Sequence, residues 1–145
     1  MGQQQLLLVI LVTIIVGIAT VVAINTFSAS AESANLDAVR QDMASIASSA
    51  QSYFLKPTLL GGGGQNFTNI TFRDITFAAD SISADGLVAL NANGVYAIIG
   101  TDPADIALRA HPASRITGTI TLSSTATNFL AALITADTMT MVDPN

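Results

Sequence analysis

The pattern of apolar and polar positions changes twice along this chain. From Leu6 to Ile24 nineteen residues are apolar, Gly or Thr without interruption, and the first charged side chain is Glu32. From Asn25 to Leu55 there is neither proline nor glycine. Apolar side chains recur there at Leu36, Val39, Met43, Ile46, Ala50 and Tyr53, in alternating steps of three and four that mark one stripe of an α-helix. Phe54 widens the stripe, while Glu32, Asp37, Arg40, Gln41, Asp42 and Ser48 form the opposite, polar face. Lys56 suits the negative end of the helix dipole. Pro57 ends the helix by disfavouring α geometry in the residue before it. The spacing therefore predicts one helix from about residue 2 to about residue 55, near 80 Å long.

The two halves of that helix have different needs. A helix apolar all round must be covered on every side, whereas one with a single stripe needs one covering layer. Residues 1–24 are thus expected to project, and residues 25–56 to dock through Leu36, Val39, Met43, Ile46, Ala50, Tyr53 and Phe54 on a small domain. Gly17 and its β-branched neighbours make Thr13 to Thr20 the expected soft spot. The alternative for the stripe is a coiled-coil seam, although only about two and a half heptads are visible where three or more are usual.

Residues 57–65 contain Gly61 to Gly64 and read as a flexible linker. In residues 66–145 the period shortens. Phe67, Ile70, Phe72, Ile75 and Phe77 recur in imperfect alternation. Leu87 to Leu90 and Val95 to Ile99 flank Asn91-Ala92-Asn93-Gly94, a hairpin signal. Ile106 to Leu108 suggests a strand before a break at His111-Pro112. Ile116 to Leu122 alternates cleanly and is the clearest strand pattern. Asn128 to Thr135 fits a short helix or a strand, and Thr138 to Val142 a last strand closed by Pro144. The expected fold is α+β: a long N-terminal helix whose C-terminal half packs on an antiparallel sheet of four or five strands, a two-layer arrangement.

Composition narrows the function. Half of the residues are hydrophobic and a tenth charged, against about a quarter charged in typical soluble domains. Net charge is −5, and the five basic residues (Arg40, Lys56, Arg73, Arg109, Arg115) are scattered, which argues against a nucleic-acid surface. Without cysteine there are no disulfides, thiol nucleophiles or Cys-based zinc sites.

Three roles compete for the opening segment. A cleaved signal peptide finds a small-x-small pattern at Ser28 to Ala31, but lacks a basic start and has too long an apolar run. A single-pass anchor is compatible with the run, although no Lys/Arg asymmetry, Trp or Tyr flanks it. The third role is a helix that resides in a membrane and later packs against copies of itself.

Gln5-Leu6-Leu7-Leu8-Val9-Ile10, after a short polar start and before the long apolar run, resembles the N-terminus of mature type IV pilins and secretion pseudopilins. The motif spans roughly the first 25 residues. The resemblance implies a structural subunit, held first in inner-membrane lipid and then stacked into an extracellular filament on the cell surface. Its partners would be copies of itself, the assembly machinery and a prepilin peptidase. It places Leu6, Leu7, Leu8, Val9, Ile10, Leu11, Val12, Ile14, Ile15, Val16, Ile18, Val21, Val22 and Ile24 in the filament core. Met1 would be the processed, often methylated N-terminus, or the initiator with cleavage after Gly2. The family carries a glutamate where Gln5 stands, so Gln5 offers an amide acceptor but no charge. The proline common in the low twenties is replaced by Val21-Val22-Ala23, which predicts a more continuous helix. Alternatives are a pseudopilin of a type II-like secretion system and a membrane-anchored binding module.

No constellation suggests an enzyme or a cofactor. His111 is the lone histidine and lacks an evident partner. Asp80, Asp85, Asp102 and Asp105 match no calcium loop, and Gly61 to Gly64 is not followed by the Lys-Ser/Thr of a phosphate loop. Asn66-Phe67-Thr68 and Asn69-Ile70-Thr71 fit the N-linked glycan acceptor pattern, marking Asn66 and Asn69 as candidate sites.

Overall fold

A computed structural model describes residues 2–142. Met1 and Pro144, singled out in the sequence, lie outside the described residues. One α-helix, α1, runs unbroken over Gly2–Leu55, through Gly17 and the expected soft spot. Three hydroxyls within its apolar part are satisfied internally. Thr13, Thr20 and Thr26 donate to the carbonyls of Val9, Val16 and Val22 at 2.8, 2.8 and 2.9 Å, the usual solution for Thr inside a helix.

Contacts divide the chain into two units, with the boundary inside α1 between Ala34 and Asn35. In the first unit every described residue is helical and exposed. The second unit begins with the remainder of α1 and continues as a six-stranded antiparallel sheet. Its strands are β1 (Ser81–Ile82), β2 (Val88–Asn91), β3 (Gly94–Thr101), β4 (Asp105–Pro112), β5 (Leu130–Thr135) and β6 (Met139–Val142). Each strand pairs with the one before it, so spatial order equals chain order. The α+β fold read from the sequence is the fold found, with six strands where four or five were expected.

The core lies between α1 and one face of the sheet. Val39, Met43, Ile46, Ala47 and Ala50 meet Ala89, Tyr96, Ile98, Ile106, Leu108, Ala110, Leu130, Ala132 and Ile134. Burial of each large aliphatic side chain contributes about 1.5–3 kcal/mol. Ala47 joins the stripe because it follows Met43 by one helical turn. The segment with Phe67, Ile70, Phe72 and Ile75 fills the side of this core with turns and loops, not a strand. Its aromatic residues form three ring contacts: Phe54 with Phe67 (ring centroids 4.6 Å apart), Phe72 with Phe77 (5.8 Å) and Phe77 edge-on to Tyr96 (5.1 Å).

Three expectations are corrected, and the expected β2–β3 hairpin is present with a turn of its own kind. Residues 116–122 form no strand; they lie in a long crossing between β4 and β5. Those two strands pair directly with each other over Asp105 to Ala110, so the segment has no vacant edge, and Gly118 at φ 93° breaks its extended run. Strand β4 continues through His111-Pro112 instead of breaking before them, with Pro112 at its last position. The β2–β3 turn is centred on Ala92-Asn93, with Asn91 opposite Gly94. Neither central residue has positive φ, so this is not the primed turn an Asn-Gly centre would give; the Asn91 side chain holds it by accepting from the Asn93 and Gly94 N–H groups.

The third correction concerns the glycine run, which folds back as a cap on α1. Gly63, Gln65 and Gly64 donate to the carbonyls of Tyr53, Phe54 and Lys56 at 2.8, 2.8 and 2.9 Å. Two of these carbonyls belong to the last turn of α1, which a helix leaves unpaired. Gly61 adopts φ 77° just after a 3-10 turn at Thr58–Leu60. At Gly62 and Gly63 a Cβ would collide with the carbonyl oxygens of Lys56 and Asn66 respectively, so the run is glycine for space as well as for φ.

Candidate assembly surface and the helix–sheet seam

The first surface is the N-terminal part of α1. All fourteen apolar residues assigned to a filament core, from Leu6 to Ile24, are 47% to 66% exposed, and Phe27 is 77% exposed. They cover every side of the helix, because no polar side chain except the back-bonded Thr residues interrupts them. Gln5 is also exposed on α1. Among the described residues α1 is the one helix long and apolar enough to cross a membrane. It is therefore able to serve as a membrane anchor.

The second feature is the seam between the later part of α1 and the sheet. Val39, Met43, Ile46 and Ala50 are buried as expected, and Leu36, Tyr53 and Phe54 are partly buried against the same core. Asp42, read from the sequence as part of the polar face, instead sits over the β2–β3 turn. Its Oδ2 accepts from Tyr96 OH at 2.6 Å and from the Asn91 and Asn93 amides at 2.8 Å each. Burial, then the hydrogen bond and charge of Asp42, push the Tyr96 phenol far above its ordinary value. Asn35 reinforces the seam, donating to the Asn93 carbonyl at 3.0 Å and accepting from the Ser114 N–H at 3.1 Å. Helical periodicity hid this role, since Asp42 borders the apolar stripe and only the partner turn shows why.

The remaining candidates lie apart. Asn66 and Asn69 are both exposed, and Asn66 Oδ1 accepts from the Thr68 N–H at 2.7 Å. Asp85 accepts from Ser83 and the Leu87 N–H, and the Ser83 hydroxyl holds its carboxyl below the usual range. No group of three metal-binding side chains occurs among the described residues. A cleft of about 230 Å³ is lined by Ser49, Ser52, Tyr53, Lys56, Asp74 and Thr76, with Ile75 at its base. Burial and the nearby Asp74 charge raise the Tyr53 phenol. The serine hydroxyls of the cleft are engaged with backbone, Ser49 donating to the Thr76 carbonyl at 2.9 Å and Ser52 to the Ser48 carbonyl at 3.0 Å. Leu55, Leu59 and Leu60, unremarked in the sequence, are 70%, 94% and 64% exposed.

Comparison with known protein families, curated proteins and solved structures finds no match.

Proposed function

We propose that this chain is the structural subunit of a type IV pilus-like extracellular filament, polymerising through its apolar N-terminal helix. One observation carries the reading: residues 6–24 form a helix exposed and apolar on all sides, in the same chain as a folded head with its own core. Such a surface is stable only among lipid tails or among like surfaces. Both are needed in turn by a subunit that waits in the inner membrane and is then stacked. The back-bonded Thr hydroxyls support this, since they leave no unsatisfied side-chain polar atom at Thr13 or Thr20 for either setting. Gln5 would donate or accept a hydrogen bond near the start of a neighbouring helix, without the charge that the resembled family uses there.

The test is electron microscopy of material sheared from cells that make the protein, alongside a Val16→Asp variant. Burying an unpaired carboxylate costs several kcal/mol, and it would recur at every subunit. Long filaments from the unaltered chain, absent in the variant whose head still folds, are expected. Filaments of normal abundance from the variant would refute the proposal. Short, transient fibres would point to a secretion pseudopilin, and monomers in detergent to an anchored binding module.

A further inference from the structure

Residues 113–129 cross between β4 and β5 with no sheet edge to pair with, yet they are not loose. Their start is tied to α1, where the Ser114 N–H donates to Asn35, and their later part, around Ala126 and Phe129, meets the face of the sheet turned away from α1. Ala110 faces the core with α1, so its neighbour His111 points to the other face. There His111 is only 6% exposed, with the buried Val95 opposite it in register. The Ala126 N–H donates to His111 Nδ1 at 2.9 Å, and Ala126 is itself buried. The Phe129 ring lies 5.8 Å from the imidazole, and the Arg109 guanidinium carbon sits 4.0 Å from the centre of that ring.

The direction of the Ala126 bond fixes a protonation state. A backbone N–H donates only to a nitrogen that carries no proton, so Nδ1 is bare and the ring proton is on Nε2. Adding a proton at Nδ1 sets two N–H groups against each other in a buried place. Among the described residues no carboxylate is bonded to this imidazole to hold it as the imidazolium. Neither β3 nor β5 contains a charged residue, and β4 contributes Arg109 beside His111. The one charged residue of 113–129 is Arg115, whose Nη1 donates to the Asn128 carbonyl at 3.1 Å. Among the described residues the charges nearest His111 on these elements, Arg109 and Arg115, are thus positive, while Asp105, on the same face of β4, lies six residues along the strand.

We propose that His111 is an acid-sensitive clasp: neutral, it holds residues 113–129 on the outer face of the sheet, and protonated, it releases them. The inference is independent of filament formation. Burial, then the Arg109 charge, lower the His111 value from its ordinary 6.5. A histidine depressed in the fold contributes stability above pH 6.5 that disappears as pH falls through the folded-state value. The clasp is therefore closed at neutral pH and opens as pH falls below 6.5. Opening uncovers Val95, Ala126 and Phe129.

The experiment is NMR of the full chain in detergent micelles, where the single histidine gives one unambiguous imidazole signal. The expected result has three parts. At neutral pH the ring nitrogen shifts report the Nε2–H tautomer. The titration midpoint falls below 6.5. The amide protection of Ala126 and its neighbours then drops, by at most about tenfold per pH unit, as pH falls from 6.5 to that midpoint and levels off below it, while β3 and β4 stay protected. In His111→Gln, protection of 113–129 loses this dependence. An Nδ1–H tautomer or a midpoint at or above the ordinary value overturns the proposal. So does loop protection that ignores the titration, or that is lost only together with the strands.

Discussion

Replacing Asp42 with alanine tests whether α1 is latched to the sheet by polar chemistry as well as by its apolar stripe. Three donors converge on one carboxylate oxygen, those of Tyr96, Asn91 and Asn93. They do not suffer equally when it is removed. Asn91 and Asn93 are partly exposed, so water replaces the lost acceptor at little cost. Tyr96 has no exposed surface, and its hydroxyl is left buried without a partner. That penalty is about 1–3 kcal/mol, and with the loss of charged hydrogen bonds the total for Asp42→Ala is about 2–4 kcal/mol. Tyr96→Phe removes the donor along with its need and should cost about 1 kcal/mol. The double variant should therefore be more stable than the sum of the two losses implies, by roughly 1 kcal/mol or more. Urea unfolding of the full-length chain in mild detergent, with unchanged slope, measures all three. Losses that simply add, or an Asp42→Ala midpoint within about 0.5 kcal/mol of the unaltered protein, would show that the latch is only a surface contact.

Three other outcomes follow from the geometry. Met43→Ala empties a fully buried site between α1 and the sheet and should lower stability by about 2–5 kcal/mol in the same urea titration. Gly63→Ala forces a methyl group against the Asn66 carbonyl and should lower the unfolding midpoint, whereas Gly17→Ala, which meets nothing within 4 Å, should leave the head's midpoint unchanged. Because Tyr96 is raised in the fold above its ordinary 10.0, its contribution is complete below pH 10 and is lost as the unfolded phenol ionises above it. Alkaline unfolding followed by tyrosinate absorbance should begin there and shift upward in Tyr96→Phe.

Long-range periodicity made α1 legible. The absence of breakers between residues 2 and 55 and the alternating steps of the stripe marked both ends and four of its five buried positions before any partner was known. The hairpin at β2–β3 was legible as a pair of β-prone runs. Its turn type was not, because the Asn91 side chain, not a left-handed backbone, shapes it. Residues 116–122 misled for a general reason. Alternation shows that a segment fits a half-covered surface, but not whether a neighbouring strand is free to take it, and here β4 and β5 had taken each other. The glycine run misled in the opposite sense, since composition suggested flexibility where Gly63, Gly64 and Gln65 hold specific carbonyls. Asp42 and His111 depend on partners 49 to 54 and 15 residues away in the chain, a distance at which local pattern carries no information.

The sheet is a meander in which each strand lies beside its predecessor. A chain delivered from its N-terminus thus never has to hold an unfinished strand open for a later arrival. Once the helix is in place, each hairpin adds to an existing edge, and short-range closure is the quick kind. In a chain that also carries an exposed oily stem, that order shortens the time during which the stem and an unpaired sheet edge are naked together.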